Sequence, residues 1–228
     1  MRYNESMSYI PPIVTVDGVV FQLIHNALHV LLIKRQREPF EGKWALPGSY
    51  VSNEESVAQA LRRTLRQKAG VAVDNCGVVE QLYTFDTAMR DPRGHAVTVA
   101  YMALCKDMLP QMSSSTEQPE FLKVDALPPL AFDHHDIIMH ARARLRGKIT
   151  YTNAVFALLP KHFTLSELQM AYESILGTQL DKRNFRKKFL SLQLIAATDE
   201  YRRDGAYRPA RLYTFKQQQL QVLSRSFD

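Results

Sequence analysis

Residues 48–71, GSYVSNEESVAQALRRTLRQKAGV, limit the folds open to this 228-residue chain more than any other stretch. A short glycine-led segment runs into an unbroken helical pattern that stops at a second glycine. Val57, Leu61 and Leu65 recur every four residues, so they share one helical face and form a stripe that must be buried. The pattern predicts a helix from Glu54 or Glu55 to Ala69, with Ser52 or Asn53 as its N-cap. Gly70 closes it, where a left-handed backbone is easiest for glycine.

The same stretch resembles the Nudix box: a Gly, five residues, Glu, seven residues, Arg-Glu, an aliphatic, one residue, Glu-Glu, one residue, Gly and an aliphatic. The register fits from Ser49, with Gly48 beside it. Glu55, Arg63, Leu65, Gly70 and Val71 take framework positions, and the resemblance implies that Glu55 and Arg63 hold the loop on the helix. The family's metal-binding glutamates correspond to Thr64, Gln67 and Lys68. Magnesium needs oxygen ligands, usually one or two carboxylates with waters and phosphates. These three positions lie on one helical face, which is here neutral or basic. The expectation is a Nudix fold whose hydrolase activity is lost, with no catalytic residue and no bound metal. The rival is a Nudix ADP-ribose pyrophosphatase with displaced metal ligands, drawing on Glu54, Glu55, Glu80 or Asp86.

Ahead of the box, Pro11 and Pro12 close an N-terminal arm, and Ile13–Val16, Val19–Ile24 and Leu28–Ile33 read as strands. Asp17-Gly18 and His25-Asn26 read as the turns between them. Val30 to Ile33 is continuously apolar, as in a strand buried on both faces. Lys34 to Gly48 reads as a cation-rich loop. After the box, Val78–Phe85 and His95–Leu104 read as strands around the loop DTAMRDPRG, and Ser113–Thr116 as a short polar loop. Strands, a long helix, more strands and a further helix predict an α/β sandwich.

The apolar fraction, 46%, and the charged fraction, 23%, are those of a globular chain rather than a disordered one. No stretch approaches the ~20 apolar residues of a spanning helix, and the polar N-terminus lacks a secretory pattern, so cytoplasmic residence with no membrane partner is expected. The two cysteines, Cys76 and Cys105, are expected to be reduced, buried thiols in strands.

Asp133-His134-His135-Asp136 with His140 invites a metal reading, since Asp136 and His140 share a helical face. The better reading makes Asp133 an N-cap and places the histidines on a polar face, with Ile137, Ile138 and Leu145 turned inward. Arg142–Lys148 then ends that helix with cations, and Gly147 marks a boundary.

Beyond it, Asn153–Leu159, Leu165–Leu176 and Lys182–Leu192 are three helical patterns. Thr164 with Glu167 forms a capping box, and Asp181 caps the third helix. Leu194–Thr198 and Arg211–Phe215 flank a basic turn and read as a hairpin. Residues 151–228 hold 12 Lys and Arg against 7 Asp and Glu, which accounts for five of the chain's six net positive charges. A basic excess in one segment suits a nucleic-acid partner. Three helices and a hairpin resemble a winged helix-turn-helix. Its third helix places Lys182, Arg183, Asn184, Arg186 and Lys187 opposite its apolar stripe. Those residues are candidates for base and phosphate contacts, with Thr164 and the hairpin's Arg202, Arg203 and Arg208.

A Nudix-like domain without its acids, followed by a winged helix, resembles the NrtR family, the Nudix-related transcriptional regulators of NAD metabolism. REPFEGKWALPG, YTFDTAMRDPRG and LRGKITYTNAVFALLP are similar to that family in order and spacing. The implied architecture is a Nudix-like α/β/α sandwich over 1–148 and a winged helix-turn-helix over 149–228. The implied protein is a homodimeric repressor of NAD synthesis or salvage genes on a palindromic double-stranded DNA operator. Its implied effector is ADP-ribose or a related NAD-derived nucleotide, with no cofactor. Arg35, Arg37, Arg90 and Arg93 are the candidates for the pyrophosphate, and Trp44, Tyr83 and Phe85 for stacking on adenine or lining the ribose site. A second rival uses the winged helix for protein contacts alone.

Overall fold

A computed structural model describes residues 11–111, 117–203 and 209–223. The N-terminal arm through residue 10, the Ser113–Thr116 loop and Arg208 lie outside them.

The first strand, β1 (Ile13–Ile24), is continuous through Asp17 and Gly18. The turn expected there is absent because neighbours hold this backbone on both sides. β4 (Gly48–Tyr50) pairs antiparallel with residues 15–17, and β6 (Ala96–Leu104) runs parallel from Ile13 to Phe21. Gly18 has a packing role instead: a Cβ there would lie 3.0 Å from the Leu65 side chain. The turn at His25-Asn26 is present, with φ of 48° and 62°, the backbone favoured by a tight hairpin. It leads into β2 (Ala27–Lys34), whose Val30–Ile33 run is fully buried.

The sheet runs in the order β3 (Trp44–Ala45), β2, β1, β6, β5 (Val78–Phe85), with β4 on β1 and β7 (Gln118–Lys123) on β2. Strand β7 has no counterpart in the sequence reading. Period-two alternation divides the sheet between two helices. Val16, Val20 and Leu31 pack with Leu61, Leu65 and Ala69 of α1 (Val57–Ala69). Val19, Phe21, Val30 and Leu32 pack with Ile137, Ile138, Ala141 and Leu145 of α2 (His134–Tyr151).

Helix α1 starts at Val57, two or three residues later than expected. Ser56, not Ser52 or Asn53, is its N-cap and forms a reciprocal capping box with Gln59. That leaves Glu55 in the preceding loop. Gly70 adopts φ of 65° at the C-terminus, as expected.

The cysteines are joined in a disulfide, which corrects the expectation of free thiols. Cys76 follows a 3-10 turn at Val73–Asn75 and Cys105 follows β6, so neither is in a strand. Gly77 N–H donates to Leu104 O and Cys105 N–H to Phe21 O. The first bond draws the two segments together and the second seats Cys105 beside β1, with the cysteine Cα atoms 4.4 Å apart, within bridging range.

Helix α2 continues through Gly147 to Tyr151, so the boundary expected between 148 and 149 falls inside a helix. Leu145, Lys148 and Ile149 are buried there, and Lys148 Nζ reaches Glu80 at 2.8 Å. Asn153–Leu159 contains only a buried 3-10 turn, Ala154–Ala157.

The C-terminal helices are α3 (Leu165–Leu176) and α4 (Lys182–Ser191), and β10 (Ala210–Phe215) lies between β8 (Phe163–Thr164) and β9 (Ile195–Arg202). Phe163, Tyr172, Phe185, Phe189 and Phe215 fill the space between. This cluster is continuous with the α2 side of the large sheet. Leu28 N–H donates to Ser174 Oγ at 2.8 Å, and Arg146 Nε to Ile175 O at 2.9 Å. Among the described residues, no helix is long and apolar enough to cross a membrane.

Candidate functional site

Inward alternation on β1 turns Asp17 toward the α2 side of the sheet, beneath a cavity of about 500 Å³. Its walls come from β1, the segment after β2, β4, α1, the loop before β6 and the approach to α2. Arg35, Arg37, Arg90 and Arg93 all line it, so the structure brings the four expected arginines together.

The expected aromatics do not line it. Trp44 pairs with Lys34 in β3 and packs against the core. Tyr83 and Phe85 lie on β5, two strands from β1, in a cluster with His140 at centroid distances of 5.1 and 5.6 Å. The cavity's aromatic surfaces are Tyr50 and Phe132. Arg35 lies 4.9 Å over Phe132, and Arg93 lies between Phe132 and Tyr50 at 5.7 and 5.4 Å. These four side chains offer a slot for a planar, anionic ligand, since guanidinium and aromatic faces both stack. Their signal in the sequence was weak: Tyr50 sits within the box lead and Phe132 beside an apparent helix cap.

The arginines carry different internal loads. Arg90 is almost wholly buried and binds Asp133 through two bonds, at 2.8 and 2.6 Å, with Asp17 at 3.6 Å. Arg93 binds Asp91 at 2.9 and 2.6 Å, which raises its own pKa. Burial alone would raise Asp91, but these bonds hold it below the usual carboxylate range. Burial, then the neighbouring Arg93, lowers Arg35, a sign of crowded positive charge.

His134 is buried rather than on a polar face. Its Nδ1 accepts the Leu46 N–H at 2.8 Å, and Nε2 lies 3.6 Å from Asp17. Burial lowers its pKa, so it is held neutral. Asp17 itself accepts from Thr98 Oγ1 at 2.7 Å. His135 and Asp136 are exposed and His140 stacks on Tyr83, so this cluster points in separate directions. Among the described residues, no three His, Cys, Asp or Glu side chains gather as a metal site would require.

The box residues behave as a brace. Arg63 holds Glu55 at 2.5 and 3.0 Å and donates to Tyr50 O at 3.0 Å, tying the loop and β4 to α1. Thr64 is buried, with Oγ1 donating to Ala60 O at 2.7 Å and 2.5 Å from Ser49 Oγ. Gln67 is exposed. Lys68 lies at the cavity wall, paired with Glu117 at 3.0 Å.

On the winged helix, Lys182, Arg183, Asn184 and Lys187 are exposed along α4, and Arg203 at the end of β9. Arg186 is half-buried and donates to Ser166 Oγ at 3.0 Å. Arg202 donates to Glu167 at 2.6 Å and to His162 O at 3.1 Å, tying β9 to the start of α3. Thr164 is buried and its hydroxyl caps α3. Thr164, Arg186 and Arg202 thus also make contacts within the domain, while Lys182, Arg183, Lys187 and Arg203 give it exposed positive charge.

The fold and its two sites define a Nudix sandwich fused to a winged helix. Residues 14–141 match the NUDIX domain model and residues 155–215 the NrtR DNA-binding winged helix domain model. The ADPR responsive transcriptional repressor NtrR of Acinetobacter baylyi is 38% identical over 219 residues, covering 94% of this chain and 86% of that protein. The crystal structure of Shewanella oneidensis NrtR complexed with a 27mer DNA superposes with a TM-score of 0.78 at 34% identity, covering 94% and 99% of the two chains. The NUDIX domain of that protein complexed with ADP ribose gives 0.56 at 34% identity, covering 63% and 94%. The chain belongs to the NrtR family of Nudix-related transcriptional regulators.

Proposed function

We propose that this chain is a DNA-binding repressor of NAD synthesis or salvage genes whose cavity takes ADP-ribose, or a closely related NAD-derived nucleotide, without hydrolysing it. The observation that carries the reading is the slot of Arg35, Phe132, Arg93 and Tyr50, built on a sheet that shares its core with a winged helix. Arg37 and the two slot arginines suit a pyrophosphate, because guanidinium binds phosphate oxygens two at a time. Tyr50 and Phe132 suit the adenine ring. Arg183, Asn184 and Lys187 face the DNA major groove, with Arg203 on the flanking backbone.

Magnesium, which the Nudix fold implies, does not fit the residues present. A buried hydroxyl, an exposed amide and an ammonium already paired with Glu117 replace the acidic face, and Lys68 would repel a divalent cation. The chain acts as a homodimer whose two-fold axis matches a palindromic operator.

The test is a titration of the protein with a promoter duplex from an NAD-biosynthesis gene, with and without ADP-ribose, alongside an assay for AMP in the presence of magnesium. Altered duplex binding without AMP supports the reading. AMP production with no duplex binding overturns it in favour of a pyrophosphatase, and duplex binding indifferent to ADP-ribose removes the effector.

A further inference from the structure

The first turn of α2 is fastened to the cavity at two successive residues. Asp133 gives both carboxylate oxygens to Arg90, and His134 accepts the Leu46 N–H. Asp133 stands at the N-cap of α2 yet makes no side-chain cap bond; its carboxylate serves Arg90 instead. Phe132, just before it, lines the cavity with φ of 54°. A left-handed backbone is unfavourable for a bulky side chain and is held only where its surroundings enforce it. Arg90 reaches the cavity, whereas Asp133 is not part of its lining.

The far end of the same helix meets the winged helix. Arg146 lies twelve residues after His134, about 18 Å along the axis at 1.5 Å per residue, and donates to Ile175 O near the end of α3. The start of α3 in turn holds α4 through Ser166–Arg186 and β9 through Glu167–Arg202. A continuous run of packed helix and hydrogen bonds thus joins the cavity to the cationic surface.

We infer that Asp133 is a positioning residue that couples cavity occupancy to the winged helix, by competing with a phosphate-bearing ligand for the guanidinium of Arg90. The inference rests on the proposed function and specifies how its two sites communicate. With the cavity empty, Arg90 clamps Asp133 and fixes the first turn of α2. A ligand phosphate draws Arg90 away, the clamp opens, and α2 resettles against α3. The difference in Arg90's partners between the two states is what a ligand needs in order to shift their populations.

The test compares wild type with Asp133→Asn, titrating each with the promoter duplex at fixed salt with and without ADP-ribose, and with ADP-ribose alone by calorimetry. In wild type, ADP-ribose shifts duplex affinity by about tenfold. In Asp133→Asn, duplex affinity without ADP-ribose already equals that of liganded wild type, its response falls below about twofold, by reciprocity the duplex then changes ADP-ribose affinity equally little, and ADP-ribose binds more tightly because no carboxylate competes for Arg90. A merely structural Asp133 would lower the melting temperature and leave that ratio untouched. Full coupling in a folded Asp133→Asn protein overturns the inference and leaves the proposed function standing. Failure of wild type to bind either ADP-ribose or the duplex overturns both. Should the variant not fold, amide exchange on wild type decides: ADP-ribose is expected to change exchange in the first turn of α2 and the last of α3, and unaltered exchange at both overturns the inference.

Discussion

Gly48 lies so close to the Asp17 carboxylate that a Cβ on Gly48 would overlap Oδ1. Neither group can yield easily, because Asp17 is bound by Thr98 and Gly48 is paired in β4 against β1. Gly48→Ala therefore forces β4 outward and disturbs the cavity wall. Overpacking of this kind costs about 1–3 kcal/mol. Thermal denaturation should record the loss, and ADP-ribose affinity should fall in the fraction that remains folded; wild-type values for both would show that β4 can shift freely.

The Glu55–Arg63 brace gives an acid-sensitive contribution. The hydrogen bond from Arg63, reinforced by the Ser52 backbone, lowers the Glu55 pKa from 4.5 to about 2. Its folded value lies below its unfolded one, so its stabilisation is complete above pH 4.5 and disappears as pH falls toward 2. Denaturant midpoints measured across that window should fall less steeply for Glu55→Gln than for wild type. Parallel curves would assign the acid response to other carboxylates.

His134 titrates in the opposite range. Burial depresses its pKa below 6.5 despite the favourable charges of Asp17 and Asp133, while Arg90 and Arg35 depress it further. The unfolded chain binds the proton first, so this residue lowers stability as pH drops below 6.5. His134→Ala also leaves the buried Leu46 N–H without its acceptor, a penalty of about 1–3 kcal/mol before any cavity cost. A chemical-denaturation series from pH 8 to pH 5 should show both the lower stability of the variant and its weaker pH dependence.

Cations on the winged helix divide into two kinds. Lys187→Ala, on the exposed face of α4, should weaken duplex binding and reduce the salt slope by about one. Arg202→Ala instead releases the end of β9 from Glu167 and His162. Its expected signature is a lower melting temperature and weaker duplex binding with the salt slope unchanged. Equal slopes for Lys187→Ala and wild type would remove Lys187 from the phosphate contacts.

Where local periodicity decides structure, the sequence was informative. The four-residue spacing of Val57, Leu61 and Leu65 located α1, and the capping box at Thr164 and the N-cap at Asp181 located α3 and α4. Asp17-Gly18 misled because that dipeptide is a strong local turn signal, whereas pairing with β4 and β6 straightened it. The pocket arginines were legible from their chemistry together with their place in the loops before the box and before β6. The aromatics were not: whether Tyr50 or Tyr83 faces the cavity depends on strand order, which puts β5 at the edge and β4 against β1. Likewise, nothing in the 29-residue separation of Cys76 and Cys105 records that the bond from Gly77 N–H to Leu104 O brings them together.

The core that runs unbroken from Val19 to Phe215 also bears on how such a protein can diversify. A whole winged helix from another source would have to recreate the Ser174 and Ile175 contacts to the sheet and α2 before it could be seated at all. The outward residues of α4 carry no such obligation. On the proposed reading of α4, new operator preferences are thus far easier to reach by changing Arg183, Asn184 and Lys187 in place than by exchanging the module that bears them.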